Sequence, residues 1–244
     1  MSLSRRAFLT SLGASLLLPR SDLGQIIPFG FFKGETFTPP TFEFVAGGSG
    51  NSSYTTTASS GSPQPLAIIA YGGTESAGSA TVSGVQFNSA WGDFYTGTQD
   101  NGDSEHCGVG LGLKNTTGSH TIKAVWSGSV SNTGYAYLRI MGSGSSVSCV
   151  YSNTQTGISY PYNYNIPNLQ VGDLVVWTAA YRGSTGSSAT NMTFLGRQFF
   201  SGRPNHLDIH LHQMTTAGTF STSVNIPGRY QQWCHIMAVF RVNP

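Results

Sequence analysis

The sequence predicts an all-β protein: an antiparallel two-sheet β-sandwich over residues 41–244, preceded by an extended N-terminal arm over residues 1–40. Three observations lead there. Short runs of period-two alternation are interrupted by turn chemistry every eight to twelve residues or so, the spacing of strands in sandwiches and barrels. No window carries the apolar stripe of an amphipathic helix. Only 9% of residues are charged while 31 are glycine, so Ser, Thr, Asn and Gly make up a near-neutral surface.

The arm comes first. Arg5-Arg6 precede an apolar stretch from Ala7 to Leu18, the basic start and hydrophobic core of a secretory leader. The order Ser4-Arg5-Arg6-Ala7-Phe8-Leu9 resembles the twin-arginine export signal, although Thr10 stands where that pattern often has Lys and Pro19 to Gln25 lacks a clear Ala-x-Ala site. The rival expectation is a retained docking arm. Arg5, Arg6, Phe8 and Leu9, with Phe29, Phe31 and Phe32 in the second apolar segment, would then lie in grooves of neighbouring subunits, because an apolar tail broken by prolines cannot build a core alone.

Strands are expected at Thr41 to Ala46, Leu66 to Tyr71, Ala80 to Phe87, Cys107 to Leu113, His120 to Trp126 and Tyr135 to Met141. Further ones fall at Asp173 to Tyr181, Met192 to Phe199, His206 to Met214, Thr219 to Ile226 and Trp233 to Val242. Asn101-Gly102 suits the positive backbone angles of a tight hairpin, and Gly47 to Pro65 reads as a loop joining arm to core. So many strands exceed one open sheet, hence two packed sheets. No internal repeat is read from the sequence. Of three cysteines, Cys107 and Cys234 sit in apolar runs as small hydrophobes, and one thiol is odd whatever pairs.

Gly118-Ser119-His120-Thr121-Ile122-Lys123-Ala124-Val125, Gly172-Asp173-Leu174-Val175-Val176 and Trp233-Cys234-His235-Ile236-Met237-Ala238-Val239-Phe240 together resemble a jelly-roll-type sandwich module of the kind found on bacteriophage virions and bacterial surface proteins. The resemblance spans roughly Pro65 to Pro244. It implies a structural or binding role and carries over no catalytic residue.

Several residue groups could carry chemistry. In His206-Leu207-Asp208-Ile209-His210-Leu211-His212 the alternation puts His206, Asp208, His210 and His212 on one strand face, a candidate for zinc if another strand adds a ligand, and otherwise a solvated polar face. That segment resembles the His-x-His element of cupins but lacks the glutamate that should follow. Asp100, Asp103 and Glu105 crowd one hairpin loop, as oxygen ligands for calcium would, without EF-hand spacing. Tyr160, Tyr162 and Tyr164 alternate in a Pro- and Asn-containing segment, where phenol rings suit a sugar or a protein surface. No Gly-x-Ser-x-Gly elbow occurs, and nothing pairs Glu43, Glu75, Asp93 or Asp173 as a glycosidase requires.

The twelve Lys and Arg are scattered, which sets nucleic acid aside as a partner. The resulting expectation is a non-enzymatic structural or attachment module without a cofactor. It would be a virion surface component (head decoration, spike or tail part), docked to other subunits through residues 1–40 in many copies and contacting host glycan. The alternatives are a twin-arginine-exported periplasmic or extracellular binding protein, and a metal-dependent enzyme on the His206 to His212 face.

Overall fold

The structure, a computed structural model, describes residues 41–50, 55–58, 64–74, 82–101, 105–115, 120–127, 132–141, 146–157, 161–182, 185–200, 205–226 and 233–243. Arg5, Arg6, Phe8, Leu9, Phe29, Phe31 and Phe32 of the arm lie outside the described residues.

Every regular element among the described residues is a strand, in the order β1 (Thr41–Gly50), β2 (Thr55–Ala58), β3 (Gln64–Thr74), β4 (Val82–Phe87), β5 (Ala90–Trp91), β6 (Phe94–Asn101), β7 (Glu105–Leu113), β8 (His120–Trp126) and β9 (Asn132–Met141). There follow β10 (Ser146–Thr156), β11 (Tyr162–Leu169), β12 (Leu174–Arg182), β13 (Ser188–Ala189), β14 (Thr193–Phe200), β15 (Asn205–Gln213), β16 (Gly218–Asn225) and β17 (Trp233–Asn243). All their pairings are antiparallel, so the expected all-β sandwich is what the chain forms.

The layering is richer than two sheets. Among the described residues four sheets occur: β2-β8-β4-β5, β1-β9-β3-β7-β6, β10-β17-β12-β15-β14 and β11-β16-β13. Three apolar cores fix their stacking. Val85, Phe87, Ile122 and Ala124 of the first sheet meet Ala67 and Tyr137 of the second. The opposite face of the second sheet, with Leu66, Ile68, Val109, Leu111 and Leu138, meets Val176, Leu207, Ile209, Ile236 and Phe240 of the third. The third sheet's far face, with Val175, Trp177 and Met237, meets Tyr164, Ile166, Phe220 and Val224 of the fourth. The stack is therefore two sandwiches back to back, with the two five-stranded sheets inside. Each fully buried aliphatic side chain contributes about 1.5–3 kcal/mol, so the central layer is the main cohesive element.

The strand order also reveals a duplication. Reading β1, β9, β3, β7, β6 against β10, β17, β12, β15, β14, and β2, β8, β4 against β11, β16, β13, superimposes one half of the chain on the other. In each half the chain switches between two facing sheets and its last strand pairs with its first, the connectivity of a jelly roll. The first-to-last pairings carry matching bulges, between Phe44 and Ala46 in β1 and between Cys149 and Tyr151 in β10. Faint echoes exist in sequence: Ala70-Tyr71-Gly72-Gly73 beside Ala180-Tyr181-Arg182-Gly183, and Gly118-Ser119-His120-Thr121 beside Gly218-Thr219-Phe220-Ser221. The absence of a repeat expected from sequence is thus corrected by topology.

Burial follows position in the stack. In β12 and β17 eight consecutive residues are buried, because both faces of these strands are covered. The strands of the outer sheets alternate instead, as in β16 and β11, with one face toward solvent.

Candidate functional site

The densest polar cluster lies inside the C-terminal sandwich and is centred on Asp208 of β15. Leu207 and Ile209 turn toward the central core, so Asp208 and its neighbours His206 and His210 turn the other way, all fully or nearly buried. A buried carboxylate persists only when its oxygens are paired. Arg197 of β14 stands opposite Asp208 in the ladder and binds it in fork geometry, Nε donating to Oδ1 at 2.6 Å and Nη2 to Oδ2 at 2.8 Å. Oδ2 also accepts from Tyr181 Oη at 2.7 Å, Ser187 N at 2.9 Å and Ser187 Oγ at 2.6 Å. Burial alone would raise the Asp208 carboxyl, but the bonds from Arg197, Ser187 and Tyr181 outweigh it and hold the group below its ordinary value.

Ser187, His210 and Asp208 gather the residue types of a nucleophilic triad, yet their proton positions are wrong for one. Ionised Asp208 only accepts, so the hydroxyl proton of Ser187 is committed to Oδ2. Toward His210 Nε2, 3.0 Å away, Ser187 Oγ is then an acceptor, and Nε2 must carry the ring proton. His210 cannot remove a proton from a group to which it donates. Its Nδ1 has no hydrogen-bond partner, whereas a triad requires the carboxylate there. The ring is clamped between Trp177, at 4.9 Å between centroids, and Phe194, at 5.2 Å, and burial pulls its pKa down to about 4.

A second buried imidazole sits in β17. His235 is fully buried beside Tyr162, Tyr164, Trp177 and Trp233, and its Nε2 lies 2.7 Å from Tyr164 Oη. Desolvation lowers its pKa to about 3, so it is neutral, a hydrogen-bonded filler of an aromatic core.

The solvated-face reading of His206 to His212 is corrected by burial: His206, Asp208 and His210 are buried and His212 is half-buried. His206 stacks on Tyr181 at 5.1 Å, His210 lies tilted against Trp177, and His212 stacks on Phe220 at 4.5 Å, so the rings are dispersed along the strand while Asp208 is saturated by donors. Among the described residues no three His, Cys, Asp or Glu side chains gather as ligands. Of the alternating tyrosines, Tyr164 is buried in the C-terminal core and Tyr162 packs half-buried against it with centroids 4.9 Å apart, both drawn inward by alternation along β11. Tyr160 lies outside the described residues. For the acidic loop, Asp100 pairs with Cys107 and Asn101 with His106 across β6 and β7, as the hairpin reading requires. Asp103, and the side chains of Asp100 and Glu105, lie outside the described residues.

Asp93 binds Lys114 Nζ at 2.8 Å, and Asp173 is forked by Arg241 at 2.8 and 2.6 Å, so each is occupied in a structural ion pair. Arg197, Tyr181 and Ser187 are the participants the sequence did not point to. The signal that was available is a lone arginine in a strand pattern ten or so residues from a lone aspartate, which a hairpin register can bring opposite one another.

On the outside of the N-terminal sandwich, Trp91 is 53% exposed. Its ring lies against Gly84, where a Cβ would come within 2.7 Å of the indole, so glycine makes room for the ring to lie flat. Gln86 pairs with Trp91, and exposed Lys123 pairs with Gln86, forming a cross-strand row on the outward face of that sheet. No protein-family model, no curated protein and no solved structure matches this chain.

Proposed function

We propose that this chain is a non-catalytic structural and attachment module: a virion surface component, docked to neighbouring subunits through residues 1–40 and displayed in many copies. The observation that supports this reading most is the back-to-back jelly-roll stack, in which the chemistry-bearing side chains described above are engaged with one another inside the sandwiches. A protein organised in this way has its strength in rigidity and its recognition on the outer sheets and loops. In this reading the glycan contact is made by the row of Trp91, Gln86 and Lys123, an aromatic face for a sugar ring flanked by an amide and an ammonium for its hydroxyls. Repetition over many copies turns a weak single contact into firm attachment.

Density-gradient fractionation of the native source tests the assignment. The chain should travel with particles and retain its first forty residues. Recovery as a free protein whose N-terminus falls beyond Pro19 would instead assign it as twin-arginine cargo working alone in the periplasm or outside the cell. A multivalent display of the protein on a glycan array tests the contact: Trp91→Ala should abolish binding, and undiminished binding would remove that row from the reading.

A further inference from the structure

We propose that Cys107 and Cys234 are a cross-linking site: an oxidised form of this protein carries a disulfide between them that joins its two jelly rolls covalently. The inference is independent of the attachment role.

The two residues come from different halves, Cys107 from β7 in the second sheet and Cys234 from β17 in the third. They meet inside the central core, where the Sγ atoms are 3.5 Å apart although the residues are 127 positions apart in the chain. Neither is in a disulfide in this structure, and both point at the carbonyl of Ala180, at 3.7 and 3.8 Å. That shared acceptor orients them toward one another. On one side each has a small cross-strand neighbour: Cys107 stands opposite Gly72 in its sheet and Cys234 opposite Ala180 in the other. A disulfide needs sulfurs about 2 Å apart, so closure requires roughly 1.5 Å of approach, within reach of small side-chain rotations and a slight sheet shift. Cys149 is the odd thiol. It is engaged with the Tyr151 carbonyl at 3.1 Å within the β10 bulge.

The oxidant is a low-molecular-weight disulfide such as oxidised glutathione. The thiolate of Cys107 attacks one glutathione sulfur and expels a glutathione thiolate, leaving a mixed disulfide. The thiolate of Cys234 then attacks the Cys107 sulfur and expels the second. Two protein thiols lose two protons and two electrons, and one oxidised glutathione becomes two reduced molecules. Cys107 is 6% exposed and Cys234 is sealed, so the exchange takes place before the halves are fully docked, and docking supplies the proximity for the second step.

The test uses the full chain prepared in two ways: refolded in a glutathione redox buffer, and expressed in an oxidising cytoplasm. Each sample is alkylated under denaturing conditions without reductant, digested, and mapped by mass spectrometry. The expected result in at least one sample is a Cys107–Cys234 peptide lighter by two hydrogens than the sum of its parts, with Cys149 alkylated. The linked form should unfold on the order of 10 °C higher than the same protein after reduction, as the loop it closes is long. Both samples yielding Cys107 and Cys234 separately alkylated would overturn the proposal, as would a bond to Cys149.

Discussion

Acidification should unfold this protein through two buried imidazoles. His210 has a pKa near 4 and His235 near 3, each against an ordinary value of 6.5. A histidine whose folded pKa is depressed binds fewer protons in the fold than in the open chain. Its contribution to stability is intact above about pH 6.5 and declines as pH falls toward the folded value. At about pH 4.5 the unfolded rings are almost fully protonated while the folded ones are largely neutral, so each costs about 2.5 kcal/mol and the pair about 5 kcal/mol. That is comparable with the whole stability of many domains. The carboxylate of Asp208, held below its ordinary 3.8, adds its own loss only below about pH 4, so the two effects occupy different windows. Urea titrations followed by tryptophan fluorescence at about pH 7.5 and 4.5 measure the difference, since Trp177 touches both rings. The double variant His210→Gln, His235→Gln should lose most of that pH dependence whatever its baseline stability. A wild type equally stable at both values, or an unchanged slope in the double variant, would refute the reasoning.

Two further outcomes follow from packing and pairing. Arg197→Ala leaves the sealed Asp208 carboxylate without its cation and should cost about 3–5 kcal/mol in urea titrations, part of which Asp208→Asn recovers in the same background by removing the stranded charge. Gly112→Ala places a methyl group 2.7 Å from Val85 Cβ and 2.8 Å from its Cγ2, a branch point that cannot swing aside, and should cost about 1–3 kcal/mol, relieved in part by adding Val85→Ala, which removes the Cγ2 contact.

Much of the fold was legible in the residues. Alternation in Gly218–Asn225 gives a strand with one wet face, and the structure has it so. The layer count was also written in the chain, in a form that is easily passed over. Leu174 to Tyr181 and Trp233 to Phe240 are nearly unbroken apolar runs, which mark strands covered on both sides and hence a stack thicker than one sandwich. The duplication was hidden for a physical reason. Jelly-roll halves need only the same order of inward and outward positions, so Val109 opposite Ala70 and Leu207 opposite Ala180 hold equivalent places while few identities survive. The cluster around Asp208 was legible as residue types on one face. What covers that face depends on Tyr181, Ser187 and Arg197, whose approach is set by register and loop path rather than by local pattern.

The central layer has a consequence for how the molecule holds together in dilute solution. Severed between Met141 and Ser146, the chain would become two fragments, each with a bare oily sheet, and their union would depend on how much of each was present. The short tether between them removes that dependence: the partner surface is always supplied at high local concentration, and a lone copy is as complete as a crowded one.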